Sequence, residues 1–278
     1  MNDIRLIATD LDDTLLHHDG TVPRQFSQVA SELEYLGVHM VLASGRSLHT
    51  LQVQFPELAK YASFICDNGA VIYTHGRLVA MSQIAPAIYH RMFDDIRKVG
   101  AIPIICGPGA TYMDRQDVKH RSALARFFNK ISATAHPNVL DVPADKISAF
   151  FPNGITPAGH EQICNAYAAD YTVTPSDDSW LDITNRGVNK GAALQHLGAS
   201  RGVEATEMVS FGNTDNDREM LQLTRYSYIV ENATNGMTKY ARFRTASCDD
   251  EGVMQVLQQI LQSKRRDQAA LIGWASGR

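Results

Sequence analysis

The segment IRLIATDLDDT, residues 4–14, joins a short apolar strand pattern to a run of acids. The strand pattern ends before Asp10, and Asp12, Asp13 and Thr14 follow after Leu11. In open α/β sheets, ligands bind beyond the carboxyl ends of the strands. N-capping of the next helix explains one acid there, but three carboxylates so close together repel one another. A hard cation such as Mg²⁺, which prefers oxygen ligands, explains the cluster better.

The rest of the chain predicts a parallel-sheet core that is interrupted once. Apolar segments at 38–44 and 63–69 lack strict alternation and are separated by helical patterns, which is typical of a parallel sheet covered on both faces. From about residue 85 to 182 the predicted strands come in close pairs, as antiparallel strands do, and the first pattern then resumes. We therefore predict an α/β core split by an inserted α+β domain. The predicted segments are core 1–81, insert 82–184, core 185–264 and a disordered tail 265–278.

Composition and charge exclude several classes of protein. The 278 residues carry a net charge of −4, whereas nucleic-acid-binding domains are usually basic, and no apolar run is long enough to span a bilayer. The four cysteines form no CxxC pair and predict reduced thiols, and the N-terminus is unlike a signal peptide. We expect a cytoplasmic protein without nucleic-acid or membrane partners, present as a monomer or weak homodimer.

Two further strand ends carry groups suited to a phosphate ligand. ASGR at 43–46 places the Ser44 hydroxyl and backbone amides at the start of a helix, which is a favourable anion site. FGNTDND at 211–217 adds acids and amides at the end of another predicted strand. Lys190 begins a helix, where the helix dipole disfavours a cation. This lysine therefore either has an anionic partner or is simply solvated.

Together these segments resemble the haloacid dehalogenase superfamily of phosphotransferases. DLDDT at 10–14 matches its first motif, DxDxT; Ser44 matches the second, Lys190 the third, and GNTDND at 212–217 the fourth, GDxxxD. The segments ASGR, DNGA at 67–70 and DITNRGVNKGAAL at 182–194, with the long insert after the third strand, are similar to the Cof-type subgroup. The resemblance implies a Rossmann-like core and a C2 cap, which is an α+β lid over the active site.

The resemblance implies catalytic roles for Asp10 and Asp12. Asp10 would be the nucleophile that forms an aspartyl-phosphate, and Asp12 would protonate the leaving group and then activate water. Thr14 would position Asp12 or the local turn, and Lys190 would offset the negative charge of Asp10 and the phosphate. The phosphoryl-binding groups would be Ser44, the backbone of Leu11 and Gly45, and Asn216, while Arg46 and Asn68 would contact the rest of the substrate.

The resemblance also implies a Mg²⁺ site, and here the chain departs from the family pattern. The ligands would be Asp10, the backbone carbonyl of Asp12 and residue 213, with Asp217 in the layer around them. The family has Asp at position 213, whereas Asn213 keeps an oxygen but loses a negative charge. Weaker Mg²⁺ binding follows, unless Asp215 or Asp217 shifts to supply the charge. The change could also have been engineered to trap a complex.

Two functions from different classes follow from these residues. The first is a Mg²⁺-dependent phosphatase for small phosphorylated metabolites, with sugar phosphates as the commonest substrates of the subgroup. The second is a binding protein that keeps the phosphate pocket, with turnover weakened or lost because of Asn213. The intact pair of Asp10 and Asp12 favours the enzyme, because a binding protein has no need of an acid–base carboxylate. Phosphomutase activity is a third, minor hypothesis.

Overall fold

The first part of the core alternates strands and helices. The computed structural model describes residues 3–125 and 128–276. Each strand is a short apolar run that is followed by polar residues, where the chain turns into the next element. The elements are β1 (Leu6–Thr9), α1 (Phe26–Tyr35), β2 (His39–Ala43), α2 (Leu48–Gln54), β3 (Ser63–Cys66), β4 (Val71–Thr74) and β5 (Arg77–Met81).

The middle of the chain forms a second sheet with its own helices. Its elements are α3 (Pro86–Lys98), β6 (Ile102–Cys106), β7 (Thr111–Asp114), α4 (Arg121–Leu124), β8 (Ile131–Thr134), β9 (Lys146–Phe150), α5 (Pro157–Tyr167), β10 (Tyr171–Asp177) and β11 (Trp180–Asn185). The strands pair in the order β10-β11-β9-β6-β7-β8, and only β7 and β8 run parallel in this described sheet. Helices α3 and α5 bury Phe93 and Ile163 in its apolar core. We call this module, from α3 to β11, the cap.

The core resumes after the cap and completes one large sheet. The remaining elements are α6 (Lys190–Ser200), β12 (Met208–Gly212), α7 (Arg218–Leu223), β13 (Tyr226–Val230), β14 (Phe243–Thr245) and α8 (Gly252–Ser276). The eight strands follow the order β14-β13-β12-β1-β2-β3-β4-β5. Pairs from β14 to β3 are parallel, and the β4–β5 hairpin is antiparallel. The predicted fold class, a parallel-sheet core split by an inserted α+β module, is confirmed.

Helices cover both faces of the parallel strands, which explains why the strand sequences do not alternate. In β1, Ile7 packs in the apolar cluster that holds α1 and α8, whereas Leu6 and Ala8 pack in the cluster that holds α6. Both sets of side chains are buried, so the whole strand is apolar. Because β1 lies between β12 and β2, three loops that follow these strands meet at one edge of the sheet.

The last helix is longer than the sequence pattern indicated. We expected a disordered tail from residue 265, but α8 continues through Ser276. Val253 and Leu257 anchor the first turns in the core, and Arg265 forms an ion pair with Glu32 of α1. The segment 266–276 contains three alanines, which favour a helix. Although α8 is long, no helix within the described ranges is apolar enough to cross a bilayer.

Candidate active site

A buried lysine joins two carboxylates at the carboxyl edge of the large sheet. Asp10 follows β1, Lys190 is the first residue of α6, and Asp217 lies just before α7. The Lys190 ammonium donates to Asp10 Oδ1 at 2.6 Å and to Asp217 Oδ1 at 2.8 Å. Lys190 and Asp217 are fully buried and Asp10 is 5% exposed. The structure therefore gives Lys190 two anionic partners at the position where the helix dipole disfavours a free cation.

Burial and neighbouring charges set the protonation of this group. Burial first, and then the negative charge of Asp217, raise the pKa of Asp10 to about 7, although Lys190 partly counters both. Burial by itself would lower the pKa of Lys190, but the carboxylates of Asp10 and Asp217 outweigh it and hold that pKa above its usual value. Lys190 therefore stays charged, and it is the nearest source of positive charge for an anion bound at Asp10.

The loop after β12 closes around the Asp217 carboxylate. Asp217 Oδ2 accepts hydrogen bonds from the backbone amides of Asn213 at 2.9 Å and Thr214 at 3.2 Å. Gly212 is required here, because a Cβ at this position would lie 2.5 Å from the Cβ of Asp217. Both Asp217 oxygens thus have partners, and Asp217 holds Lys190 and the loop in place.

Asn213, a candidate metal ligand, lies beside the Asp12 backbone. Its side chain is buried, and Nδ2 donates to the backbone carbonyl of Asp12 at 3.1 Å. Asn213 Oδ1 is buried without a hydrogen-bond partner among the described residues. The Asp10 carboxylate, the Asp12 carbonyl and this amide oxygen are donors that suit Mg²⁺. A site built from these donors would contain a single carboxylate and so a low ligand charge.

Arg46 holds the Asp12 carboxylate in a two-pronged ion pair. Its guanidinium donates to Asp12 Oδ1 at 2.5 Å and to Oδ2 at 3.1 Å, and it also donates to Gln54 Oε1 at 2.8 Å. The Arg46 backbone amide donates to Ser44 Oγ at 3.1 Å, and Ser44 is fully buried. The Asp12 side chain is 55% exposed. Both oxygens of the Asp12 carboxylate are therefore engaged by Arg46.

The remaining predicted substrate residues meet beside this pair. Asn216 Nδ2 donates to Asn68 Oδ1 at 3.0 Å, and Thr214 Oγ1 donates to Asn216 Oδ1 at 2.7 Å. Gly45 lies beside Asn68, because a Cβ built on it would be 3.2 Å from Asn68 Oδ1. Leu11 is buried next to Asp10. Loops that follow β1, β2, β3 and β12 thus supply every residue proposed to contact the substrate.

A second buried charged group, between the cap and the core, was missed from the sequence. Lys146 of β9 forms an ion pair with Asp67, which follows β3. Asp67 was quoted within DNGA but given no role. The only signal in the sequence was a lysine beside the apolar run ISAFF at 147–151. A lysine in that position is typical of a solvated strand end.

A capped parallel sheet with aspartates and a buried lysine at its carboxyl edge defines a class of capped hydrolases. The chain belongs to the haloacid dehalogenase-like hydrolase family, whose sequence pattern matches residues 7–257. The resemblance found from the motifs is therefore confirmed, and the chain is an enzyme of the phosphatase type.

Full-length relatives support this assignment. The chain is 26% identical to 5-amino-6-(5-phospho-D-ribitylamino)uracil phosphatase YbjI of Escherichia coli (strain K12), over 93% of this chain and 96% of that protein. It is 25% identical to the HMP-PP phosphatase of Cronobacter sakazakii, over 82% of this chain and 85% of the relative. The crystal structure of SMU.1108c from Streptococcus mutans UA159 superposes with a TM-score of 0.80 and 25% identity, over 93% of this chain and 99% of that one.

Proposed function

We propose that this protein is a Mg²⁺-dependent phosphomonoester hydrolase that acts on small phosphorylated metabolites through an aspartyl-phosphate. The observation that carries the proposal is the buried Lys190 ammonium, 2.6 Å from Asp10 Oδ1. A buried carboxylate beside a fixed cation is suited to approach an anionic phosphate, because the cation offsets the repulsion between them. The named substrates of the E. coli and Cronobacter relatives support small phosphorylated compounds as the substrate class.

In the first step, an Asp10 carboxylate oxygen attacks the phosphorus of the ester. The bond between phosphorus and the ester oxygen breaks, and the leaving alkoxide takes the proton of the Asp12 carboxyl group. Lys190 offsets the charge of the transferred phosphoryl group, and Ser44 and Asn216 donate to its oxygens. For this step Asp12 must carry a proton and must have left Arg46.

In the second step, Asp12 takes a proton from water and the resulting hydroxide attacks the phosphorus. The bond to Asp10 breaks, which restores the Asp10 carboxylate and releases inorganic phosphate. Asp10, the Asp12 carbonyl and Asn213 Oδ1 would hold Mg²⁺, which supplies positive charge next to the transferred group when it is bound. Because Asn213 Nδ2 faces the Asp12 carbonyl in the structure, the Asn213 amide would have to turn its oxygen towards the metal.

One observation favours the alternative of a binding protein. Asn213 Nδ2 already satisfies the Asp12 carbonyl, and no carboxylate stands at position 213. Both features lower the affinity for Mg²⁺, and without the metal the phosphate pocket would bind its ligand with little turnover. In this alternative, Ser44, Lys190 and Asn216 bind the ligand, but phosphoryl transfer does not take place.

A phosphate-release screen separates the two functions. Wild type, Asp10→Asn and Asn213→Asp would be tested with sugar phosphates, nucleotides and cofactor phosphates at several Mg²⁺ concentrations. The proposal expects release from at least one sugar phosphate by wild type, and no release by Asp10→Asn. Binding seen as a shift in Tm, with no release by wild type or Asn213→Asp at any Mg²⁺ concentration, supports the binding protein instead.

A further inference from the structure

Lys146 is a buried cation that links the cap to the core. It begins β9, and its side chain is 5% exposed. The ammonium lies 2.9 Å from Asp67 Oδ1 of the core and 3.3 Å from Asp182 Oδ2 of the cap strand β11. Asp182 Oδ1 also accepts a hydrogen bond from Ser148 at 2.5 Å, which fixes its carboxylate in the cap. A single ammonium therefore connects two cap strands to the loop after β3.

The carboxyl groups around Lys146 keep its ammonium group charged. Asp145 is fully buried, neither of its oxygens has a donor among the described residues, and its carboxyl group lies against that of Asp67. Burial and then the charge of Asp67 raise the pKa of Asp145 well above its usual range. Burial would lower the pKa of Lys146, but Asp182 and Asp67 outweigh it and raise that pKa. Lys146 therefore stays charged and balances the carboxylates of Asp67 in the core and Asp182 in the cap.

The core partner of Lys146 begins a strained turn. Asp67, Asn68 and Gly69 have φ values of +47°, +55° and +105°, so three consecutive residues lie in the left-handed region. Residues other than glycine remain there only when their surroundings enforce it, and such turns cluster at functional sites. The backbone amides of Asp67 and Asn68 donate to the carbonyls of Arg46 and Ser44, both at 3.0 Å. The turn is thus tied to the loop that we assign to phosphate and substrate binding.

The same turn contacts two other parts of the site. A Cβ at Gly69 would lie 2.3 Å from the backbone oxygen of Asn189, so the turn sits directly on the N-cap of the helix that begins with Lys190. Asn68 Oδ1 accepts the hydrogen bond from Asn216. A displacement of the turn would therefore move groups from three loops at once.

We propose that Lys146 is a positioning residue, whose ion pair with Asp67 couples the position of the cap to the turn at 67–69 and so to the substrate site. The inference rests on the proposed function for its kinetic consequence. With the cap closed, Lys146 neutralises Asp67 and holds Asn68 where it can contact the substrate. Without Lys146 the turn relaxes, so KM rises while kcat for bound substrate changes little.

The first test is hydrogen exchange at the backbone amides of residues 67–69. Lys146→Met removes the charge at similar length, and Lys146→Arg keeps the charge. The matched control is Lys98→Met, which breaks the exposed cap pair of Lys98 and Asp95, 2.8 Å apart. We expect exchange to be about tenfold faster in Lys146→Met, and about as slow as in wild type in Lys146→Arg and Lys98→Met. Wild-type exchange rates in Lys146→Met would overturn the proposal.

A second variant covers the case in which Lys146→Met does not fold. Removing one partner of a buried ion pair leaves unpaired carboxylates, which destabilises the fold. Lys146→Met/Asp67→Asn removes both charges of the pair and lessens this cost. We expect the folded double variant to show fast exchange at the turn and a KM raised about tenfold, with kcat within about threefold of wild type. An unchanged exchange rate in the double variant refutes the coupling.

The two readouts keep the inference distinct from the proposed function. Exchange at 67–69 needs no substrate, so it decides the coupling even if the wild type hydrolyses no phosphomonoester. A wild type that hydrolyses no phosphomonoester would count against the proposed function only. A fall in kcat with KM unchanged in Lys146→Met would contradict the positioning role, because it would place Lys146 in the chemical step.

Discussion

Asn213→Asp is the most informative single change in this protein. In the structure, Asn213 Nδ2 donates to the Asp12 carbonyl at 3.1 Å, and Asn213 Oδ1 is buried with no partner within the described residues. Aspartate has nearly the same volume but replaces the donor by a second oxygen. The change therefore tests whether residue 213 and the Asp12 carbonyl share a metal ion, because a bound cation would stabilise two oxygens that face each other.

Without Mg²⁺ the variant should be less stable than wild type. It loses one buried hydrogen bond and leaves the Asp12 carbonyl facing an oxygen, at a cost of about 1–3 kcal/mol. The new carboxylate also adds to the negative charge of Asp10 and Asp217, against the single Lys190 ammonium that the structure places between them. A cost of about 2 kcal/mol corresponds to a fall of roughly 4–8 °C in Tm.

With Mg²⁺ the difference in Tm between the variant and wild type should shrink. A carboxylate ligand should strengthen Mg²⁺ binding at least tenfold, which is about 1.4 kcal/mol. Tm measured in chelator and across a Mg²⁺ series gives both quantities, and calorimetric titration of Mg²⁺ checks the affinity. The expected pattern is a lower Tm in chelator that recovers as Mg²⁺ is added.

Asn232→Asp is a matched control for this variant. Asn232 Nδ2 donates to the neighbouring carbonyl of Asp13 at 2.8 Å, so aspartate there also loses a donor and adds one charge. Because Asn232 is not a proposed ligand, its Tm change should be the same with and without Mg²⁺. If Asn213→Asp alters neither the Mg²⁺ titration nor the melting response, residue 213 is not a ligand. The alignment of this loop with the family motif would then be wrong, and Asp215 or Asp217 would be the ligand instead.

The remaining predictions concern the buried lysine pair and the strained turn. The pKa of Asp10 is raised to about 7, so the stability that this group contributes is full below its unfolded pKa of 3.8 and is lost as the pH rises through about 7. In chelator, the unfolding free energy of wild type, measured in urea, should therefore fall relative to that of Asp10→Asn as the pH rises from 3.8 to about 7. A difference between the two proteins that stays constant with pH would contradict the burial of the charge. Lys190→Met leaves two carboxylates unpaired and should cost about 3–5 kcal/mol of unfolding free energy, and a cost below about 1 kcal/mol would show that the pair contributes little. Gly69→Ala should cost about 1–3 kcal/mol more than Gly20→Ala, because both glycines have positive φ but only Gly69 lies against backbone; equal costs in chemical denaturation would refute the close contact.

The strand ends of the active site could be predicted because their signals are local. The apolar run before Asp10 is short and lacks alternation, as expected for a strand buried on both faces. The acids, amides and glycines that follow such strands are a departure from apolar patterning that the sequence displays directly. Family resemblance then supplied roles for Asp10, Asp12 and Lys190, and the family match over residues 7–257 confirmed the resemblance.

The sequence was less informative about helix ends and charged partners. The tail from residue 265 was expected to be disordered as a chain terminus, whereas α8 continues through Ser276. Arg46 remains a predicted substrate contact, but its ion pair with Asp12 was not predicted from the sequence. Neither outcome follows from a local pattern, because a flexible charged side chain takes the partner that the assembled loops offer.

By itself, the sequence determined the fold class with its inserted cap and indicated the segments of the candidate site, since these depend on periodicity and on residues close together in the chain. Only the tertiary structure decided which charges neutralise each other. Lys190 is 180 residues from Asp10, and the two meet because strand order brings β1, β12 and α6 together. Lys146 meets Asp67 because the cap packs against the core there. The energy of a buried charge depends on its surroundings within a few ångströms, and those surroundings exist only once the chain has folded.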